Sequence, residues 1–398
     1  MPTLQETYRS SAIIVTGGTI YGTTIEQLGP FVSYQDNPVI SPEGTDDYTT
    51  FASVIKVGST YHMYYTYANV GNLNVVGHAT SADGKSWTKD AANNPVLDVP
   101  GAGFGSTSVG VAFAWYEDGT YKLLFRGSPG NGTAADAVGY ASSADPEGPF
   151  TIGNSGNPVI EGTNGEWDQY GCESWGVIKV GTTYHTWCEG QITQGSQSTR
   201  ALGHAYTDDP STTWTKDAAN PIFTGGRFCP DVFKYGQYYY MILPHYASGE
   251  DYSEFELYRD TDVAFLPASR EYLGVIKETS AVGWDAVDLD TPCILTDDIN
   301  RDSFAASNNE IWMYHDGQGL PPWARKTGLA ISTRVGGGWT YHNRAVDGQG
   351  LGVFRIVGIG GTPVAGQSLS IREDSRYSIV MGETNDSSIG YVDSTGLT

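Results

Sequence analysis

Four carboxylates in this sequence are placed to work as acid and base: Glu173, Asp290, Asp231 and Asp47. Each lies shortly before a strand-like run, as Glu173 does before Val177-Ile178-Lys179 and Asp290 before Ile294-Leu295. Two carboxyl groups across one bond are what glycoside hydrolysis requires: one protonates the leaving oxygen, and the other acts as base or nucleophile. Several acids gathered around one point raise at least one pKa, as an acid catalyst near neutral pH requires. Trp175 and Tyr170 could stack on a sugar ring, and Arg227, His245 and His315 could hydrogen-bond its hydroxyls.

Other chemistries find less support. No motif surrounds a nucleophilic Ser or Cys. His62, His78, His185 and His204 recur at equivalent strand positions, which reads as packing, and no metal-ligand spacing occurs. Neither metal nor cofactor is expected. Cys172, Cys188, Cys229 and Cys293 match no zinc knuckle or redox pair and read as buried thiols, with a Cys172–Cys188 bridge as the alternative.

The net charge of −23, without any Lys/Arg cluster, argues against nucleic acid and anionic membranes and leaves an uncharged glycan as a suitable partner. No apolar stretch approaches the roughly 18 residues of a membrane span, so no membrane insertion is expected. Met1 to Gly18 lacks a basic start followed by an apolar run, so no signal peptide is expected. Extracellular and virion-associated settings both stay open.

The elements that must position these residues repeat along the chain. Asn-Pro followed by an aliphatic residue occurs at Asn37, Asn94, Asn157 and Asn220, at steps of 57, 63 and 63 residues. Between these marks lie hairpins such as Ser53 to Tyr65 and Gly176 to Trp187, each an alternating strand pair around a Gly-containing turn. A third strand follows, as in Val76-Gly77-His78-Ala79 and Leu202-Gly203-His204-Ala205. A Trp-Thr or Phe-Thr strand then leads into the next Asn-Pro. A polar insertion splits the fifth hairpin between Leu295 and Glu310. Repeated four-stranded units predict an all-β, five-bladed β-propeller over residues 37–340.

Short β appendages are expected at both ends. Residues 1–36 include strand-like Ser11 to Thr16, expected to add a strand to a terminal blade and close the propeller. Residues 341–398 read as a small C-terminal β appendage, with alternation at Gly352 to Val357, Ser368 to Arg372 and Tyr377 to Met381, and as a surface for a protein partner.

These blades resemble the five-bladed glycoside hydrolases of family 43, with cousins in families 32, 68, 117 and 130. The resemblance covers about 300 residues and rests on the strand pattern. It implies a base or nucleophile Asp from blade one, a tuning Asp from blade two and a general-acid Glu from blade three. Glu173 matches the third, four residues before Val177. The first position falls at Phe51 or Thr50 and the second near Ser108 to Gly110, where no acid stands. Asp290 occupies the offset of Glu173 in the fifth unit. Asp168 and Asp285, in the recurring pairs Trp167-Asp168 and Trp284-Asp285, read as blade-to-blade hydrogen-bonding residues. Two readings follow: a glycoside hydrolase with Glu173 as acid and a substitute carboxylate as base, or a non-catalytic glycan-binding or structural protein such as a virion-surface or tail-associated adhesin.

Overall fold

Two-residue turns with a glycine at positive φ, Gly58, Gly181 and Gly236, reverse the chain and set up successive antiparallel meanders. The computed structural model describes residues 31–333 except 44–47, 70, 72, 102, 129–135, 192, 194–199, 247–252, 281, 307–309 and 320–323, together with three strands between 377 and 397. One unit comprises residues 30–333 and another residues 1–29 with 334–398.

In the larger unit, β1 (Val32–Ser33) comes first in the chain. The first meander is β2 (Thr49–Val57), β3 (Thr60–Ala68), β4 (Asn74–Ser81) and β5 (Thr88–Lys89). The second is β6 (Ser108–Glu117), β7 (Thr120–Ser128), β8 (Ala137–Ser143) and β9 (Thr151–Ile152); a single parallel bridge, Asn74 to Ser108, joins the two. The third is β10 (Cys172–Val180), β11 (Thr183–Gln191), β12 (Arg200–Thr207) and β13 (Thr215–Lys216). The fourth is β14 (Asp231–Tyr235), β15 (Tyr238–Tyr246), β16 (Ser253–Asp260) and β17 (Glu271–Lys277). The last is β18 (Asp288–Ile294), β19 (Glu310–Gln318) and β20 (Arg325–Thr333), with β1 as its outer strand. The opening strands neighbour one another in series: β2 beside β6, then β10, β14, β18 and β2 again.

The strand that completes the last meander is therefore Val32–Ser33, paired with Ile331 and Ala330. Ser11 to Thr16, expected in that slot, lies outside the described residues, as do Gly352 to Val357 and Ser368 to Arg372. In the smaller unit, β21 (Tyr377–Met381), β22 (Ile389–Asp393) and β23 (Gly396–Leu397) form an antiparallel sheet.

The Asn-Pro repeat has a physical explanation. Asn94 accepts the His78 N–H at 2.7 Å and donates to the His78 carbonyl at 3.1 Å, so its amide imitates a neighbouring strand. Asn220 does the same to His204, at 2.7 and 2.9 Å, and Asn37 to Leu329, at 2.8 Å each. The residue just after each Asn-Pro-aliphatic triplet bridges the third strand, as Leu97 does Val76 and Phe223 does Leu202. The Trp-Asp pairs are also structural. A Cβ at Gly203 would come within 2.3 Å of the Trp167 ring, and one at Gly328 within 2.2 Å of Trp284, so only glycine lets these indoles lie flat on the sheet. Asp168 pairs with Lys216, and Asp285 with Lys277 at 3.3 Å.

The insertion after β18 is a tie. Its Ile299 carbonyl accepts the Lys179 N–H and its Arg301 carbonyl the Lys234 N–H, both at 2.8 Å, reaching the third and fourth meanders. Lys56 of β2 donates to the Ala305 carbonyl at 3.3 Å. The core between the sheets is aromatic, with Trp175, Trp187, Tyr64 and Phe233 fully buried. Each such side chain contributes roughly 1.5–3 kcal/mol of burial.

Candidate active site

Four of the five opening strands, all but β14, share a distortion of their pairing. Register shifts occur at Thr50/Ser53, Val111/Phe113, Trp175/Val177 and Asp290/Cys293. Phe51, Gly176 and Thr291 sit there with φ of 55°, 59° and 48°. For Phe and the β-branched Thr this conformation is strained, and such strain clusters where side chains must be re-aimed.

Just before these bulges stand two carboxyl pairs. Glu173 of β10 is opposite Glu189 of β11, and Asp290 of β18 is opposite Asp316 of β19. Three arginines from third or second strands interleave with them. Arg126 of β7 lies 3.5 Å from Glu173, and Arg200 of β12 lies 2.5 Å from Glu189. Arg325 of β20 reaches Asp288, and Asp290 at 3.2 Å. The field of Arg200 acts on both Glu173 and Asp290, so the pairs belong to one electrostatic cluster.

Burial pushes the Glu173 carboxyl up to about 7; Glu189 and Asp136 add to the shift, and Arg126 and Arg200 oppose it. Burial raises Asp290 to about 6, helped by Asp288 and opposed by Arg325. Burial also raises Asp316, to about 7, against hydrogen bonds from Thr50, the Phe51 N–H and Thr327. The arrangement thus sets Glu173 and Asp316, which hold protons near neutral pH, against Asp290, which beside Arg325 is largely ionised there.

The expected site residues divide. Glu173 and Asp290 come into one cluster, their side chains 13% and 11% exposed. Asp231 does not serve there: its Oδ2 takes Arg301 at 2.5 Å and the Ile294 N–H at 2.6 Å, and its Oδ1 the Val232 N–H. With its acceptors spent on Arg301 and the backbone, it anchors the insertion. Asp47 lies outside the described residues. Tyr170 presents an exposed ring. Trp175 is buried, 5.1 Å from Phe51 and clustered with Phe228 and Cys229, so its face is not open to a ligand. His315 is fully buried between Trp284 and Phe255, and burial pushes its pKa well below the ordinary value. Arg227 is bound to Glu256 at 2.8 Å.

His245, Glu254 and Glu256 lie close enough to share a cation. Glu256, however, already receives Arg227, His245 and Tyr258. All four cysteines are free and buried, so the Cys172–Cys188 bridge is not formed.

The residues missed in the sequence are Glu189, Asp316, Arg126, Arg200 and Arg325. A signal existed. Cys188-Glu189-Gly190-Gln191 and Arg200-Ala201-Leu202-Gly203 recur as His315-Asp316-Gly317-Gln318 and Arg325-Lys326-Thr327-Gly328.

Neither a protein-family description nor a curated protein matches this chain. Solved structures do. The catalytic domain of the Coprinopsis cinerea family 62 α-L-arabinofuranosidase aligns with a TM-score of 0.55 at 12% identity, over 77% of this chain and 98% of that one. Zg3597, a family 117 glycoside hydrolase of the marine bacterium Zobellia galactanivorans, gives 0.54 at 18%, over 77% and 89%. A further glycoside hydrolase gives 0.57 at 14%, over 79% and 95%. At these identities the likeness defines the fold: this chain has a glycoside hydrolase-like propeller fold.

Proposed function

We propose, from the premise of a glycoside hydrolase-like propeller, that each meander of residues 30–333 is one of five blades and that the protein cleaves a glycan at their inner N-terminal ends. Glu173 is the general acid and Asp290 the base or nucleophile. The observation that carries this reading is the pairing of raised carboxyls at equivalent positions of the third and fifth meanders, within the field of one arginine, Arg200. A carboxyl holding its proton at about 7 can hand it to a leaving oxygen at neutral pH. An Asp beside Arg325 keeps the ionised form needed by a base. Phe51 occupies the position where related enzymes carry the first acid, so Asp290 would be a substitute drawn from another blade.

The experiment is a glycan-array screen followed by a hydrolysis assay on every bound sugar. Wild type should release product, and Glu173→Gln should bind the same sugars without turnover. Equal turnover in the two would remove Glu173 from the role.

A second reading, glycan binding without catalysis, draws on one observation. Phe51, Trp175 and Phe228 pack together beside the carboxyls, where the first-blade acid is missing. Binding with no hydrolysis by wild type would select it.

A further inference from the structure

We infer that Glu189, gripped by Arg200 and standing opposite Glu173 across the β10–β11 ladder, is the positioning residue that keeps the proton on Glu173. The inference rests on the reading of Glu173 as the general acid and supplies what that reading lacks. The tuning acid expected near Ser108 to Gly110 of the second meander is absent, and Gly110 there faces Arg126 instead. An acid flanked only by arginines would lose its proton early and could not donate it.

The surroundings of Glu173 make the competition explicit. Arg126 of β7 approaches at 3.5 Å, and Arg200 of β12 adds a second positive charge. Both favour the ionised form. Against them stand Asp136, next to β8, and Glu189 of β11, the cross-strand partner of Glu173. Cys229, ahead of β14, completes the shell, its Sγ donating to Glu189 Oε2 at 3.4 Å.

Directly paired residues of an antiparallel ladder have Cβ atoms about 5 Å apart, which puts both side chains on one face of the sheet, and a carboxylate on one disfavours ionisation of the other. Arg200 decides between them. Its Nη1 is 2.5 Å from Glu189 Oε1, whereas the guanidinium nearest Glu173, that of Arg126, stands at 3.5 Å, so the tighter ion pair holds Glu189 and leaves Glu173 the less well compensated of the two. Glu189 touches neither the bond to be cleaved nor a ligand in this scheme. It acts through its partner.

The test reads Glu173 itself. In the full-length protein, the protonated-carboxyl infrared band lost in Glu173→Gln is followed against pH without substrate. Its midpoint should lie near 7 in wild type. Glu189→Gln should lower it by at least about one unit, because only burial and Asp136 then oppose the two arginines. Glu189→Asp, which keeps the charge, should leave it near the wild-type value. An unmoved midpoint in folded Glu189→Gln overturns the inference. If that variant fails to fold, the double variant Glu189→Gln/Arg200→Gln, which leaves neither partner of the pair unpaired, is compared with Arg200→Gln: the midpoint should be lower in the double variant, and equal midpoints overturn the inference. Because the titration needs no glycan, absence of turnover on every sugar defeats the proposed function alone and leaves this result standing.

Discussion

In the third meander the arginine of β12, Arg200, grips the second-strand acid, Glu189, and leaves the first-strand Glu173 to its proton. In the fifth, the equivalent Arg325 of β20 reaches across to the first-strand acids, Asp288 and Asp290, and leaves the second-strand Asp316 buried with a raised pKa. The residues correspond one to one, Glu173 with Asp290, Glu189 with Asp316 and Arg200 with Arg325. The reach of the guanidinium differs, and so do the neighbours, Arg126 beside Glu173 and Asp288 beside Asp290. Two copies of one design thus acquire opposite polarity, and opposite polarity is what an acid–base pair requires.

Chemical rescue would break this comparison most sharply. On an unactivated glycan, Glu173→Gln and Asp290→Asn should each lower turnover by about 10²- to 10⁴-fold. Added azide should restore the rate only in Asp290→Asn, because a small anion can replace a base or nucleophile but carries no proton to donate. Rescue of Glu173→Gln alone would exchange the two roles.

The next effect concerns what the fifth meander has and the third lacks, its insertion. Asp231→Asn leaves Arg301 buried, 3% exposed, without its counter-charge. Removing one partner of a buried pair should cost about 3–5 kcal/mol of unfolding free energy, read by urea titration. A loss below about 1 kcal/mol would mean that the insertion is not anchored through this pair.

Much of this scaffold was legible in the chain. The Asn-Pro steps, the Gly-containing turns and the alternating strands report local backbone physics, which sequence carries directly. Glu173 was legible by its offset from Val177, and Asp290 by alignment of the fifth unit. Asp231 misled because a carboxylate at a strand start looks alike whether it faces ligand or Arg301, seventy residues away. Trp175 and His315 misled for a related reason. Alternation says which face a side chain takes, whereas burial between sheets depends on Phe51, Trp284 and Phe255, which arrive from elsewhere. The arginines were overlooked because Arg200 and Arg325 start third strands and Arg126 comes from the second meander, each well removed in sequence from the acids it meets.

A smaller effect tests the protonation of Asp316. Burial holds its pKa at about 7, above the roughly 3.9 of an unfolded chain. The folded protein therefore keeps a proton that the unfolded chain releases between about pH 4 and 7. The resulting stabilisation is complete below about pH 4 and is lost as pH rises through about 7. Asp316→Asn cannot titrate, so the stability of wild type relative to this variant should decline across that window. The slope is at most about 1.4 kcal/mol per pH unit. A flat difference would leave the fifth meander without its proton and the comparison without its second half.

The smallest effect tests whether the two meanders are held alike even though they are charged differently. Asn220 clamps His204 of β12, and Asn37 clamps Leu329 of β20, each through one N–H and one carbonyl of the third strand. Replacement by Ala strands both backbone groups at a partly buried position. Each substitution should therefore cost about 1–3 kcal/mol, and the two costs should agree within about 0.5 kcal/mol. Asn157 provides the control, because its exposed amide donates to the nearby Asn154 carbonyl, at 3.2 Å, rather than to a third strand. Asn157→Ala should change stability by no more than about 0.5 kcal/mol. Thermal and urea unfolding of the three variants measures all of this. Equal losses at all three positions would show that the Asn-Pro motif acts through its turn rather than its amide. A large loss at Asn37 alone would single out the last meander, whose outer strand, Val32–Ser33, comes from the opposite end of the sheet sequence and depends most on being clamped.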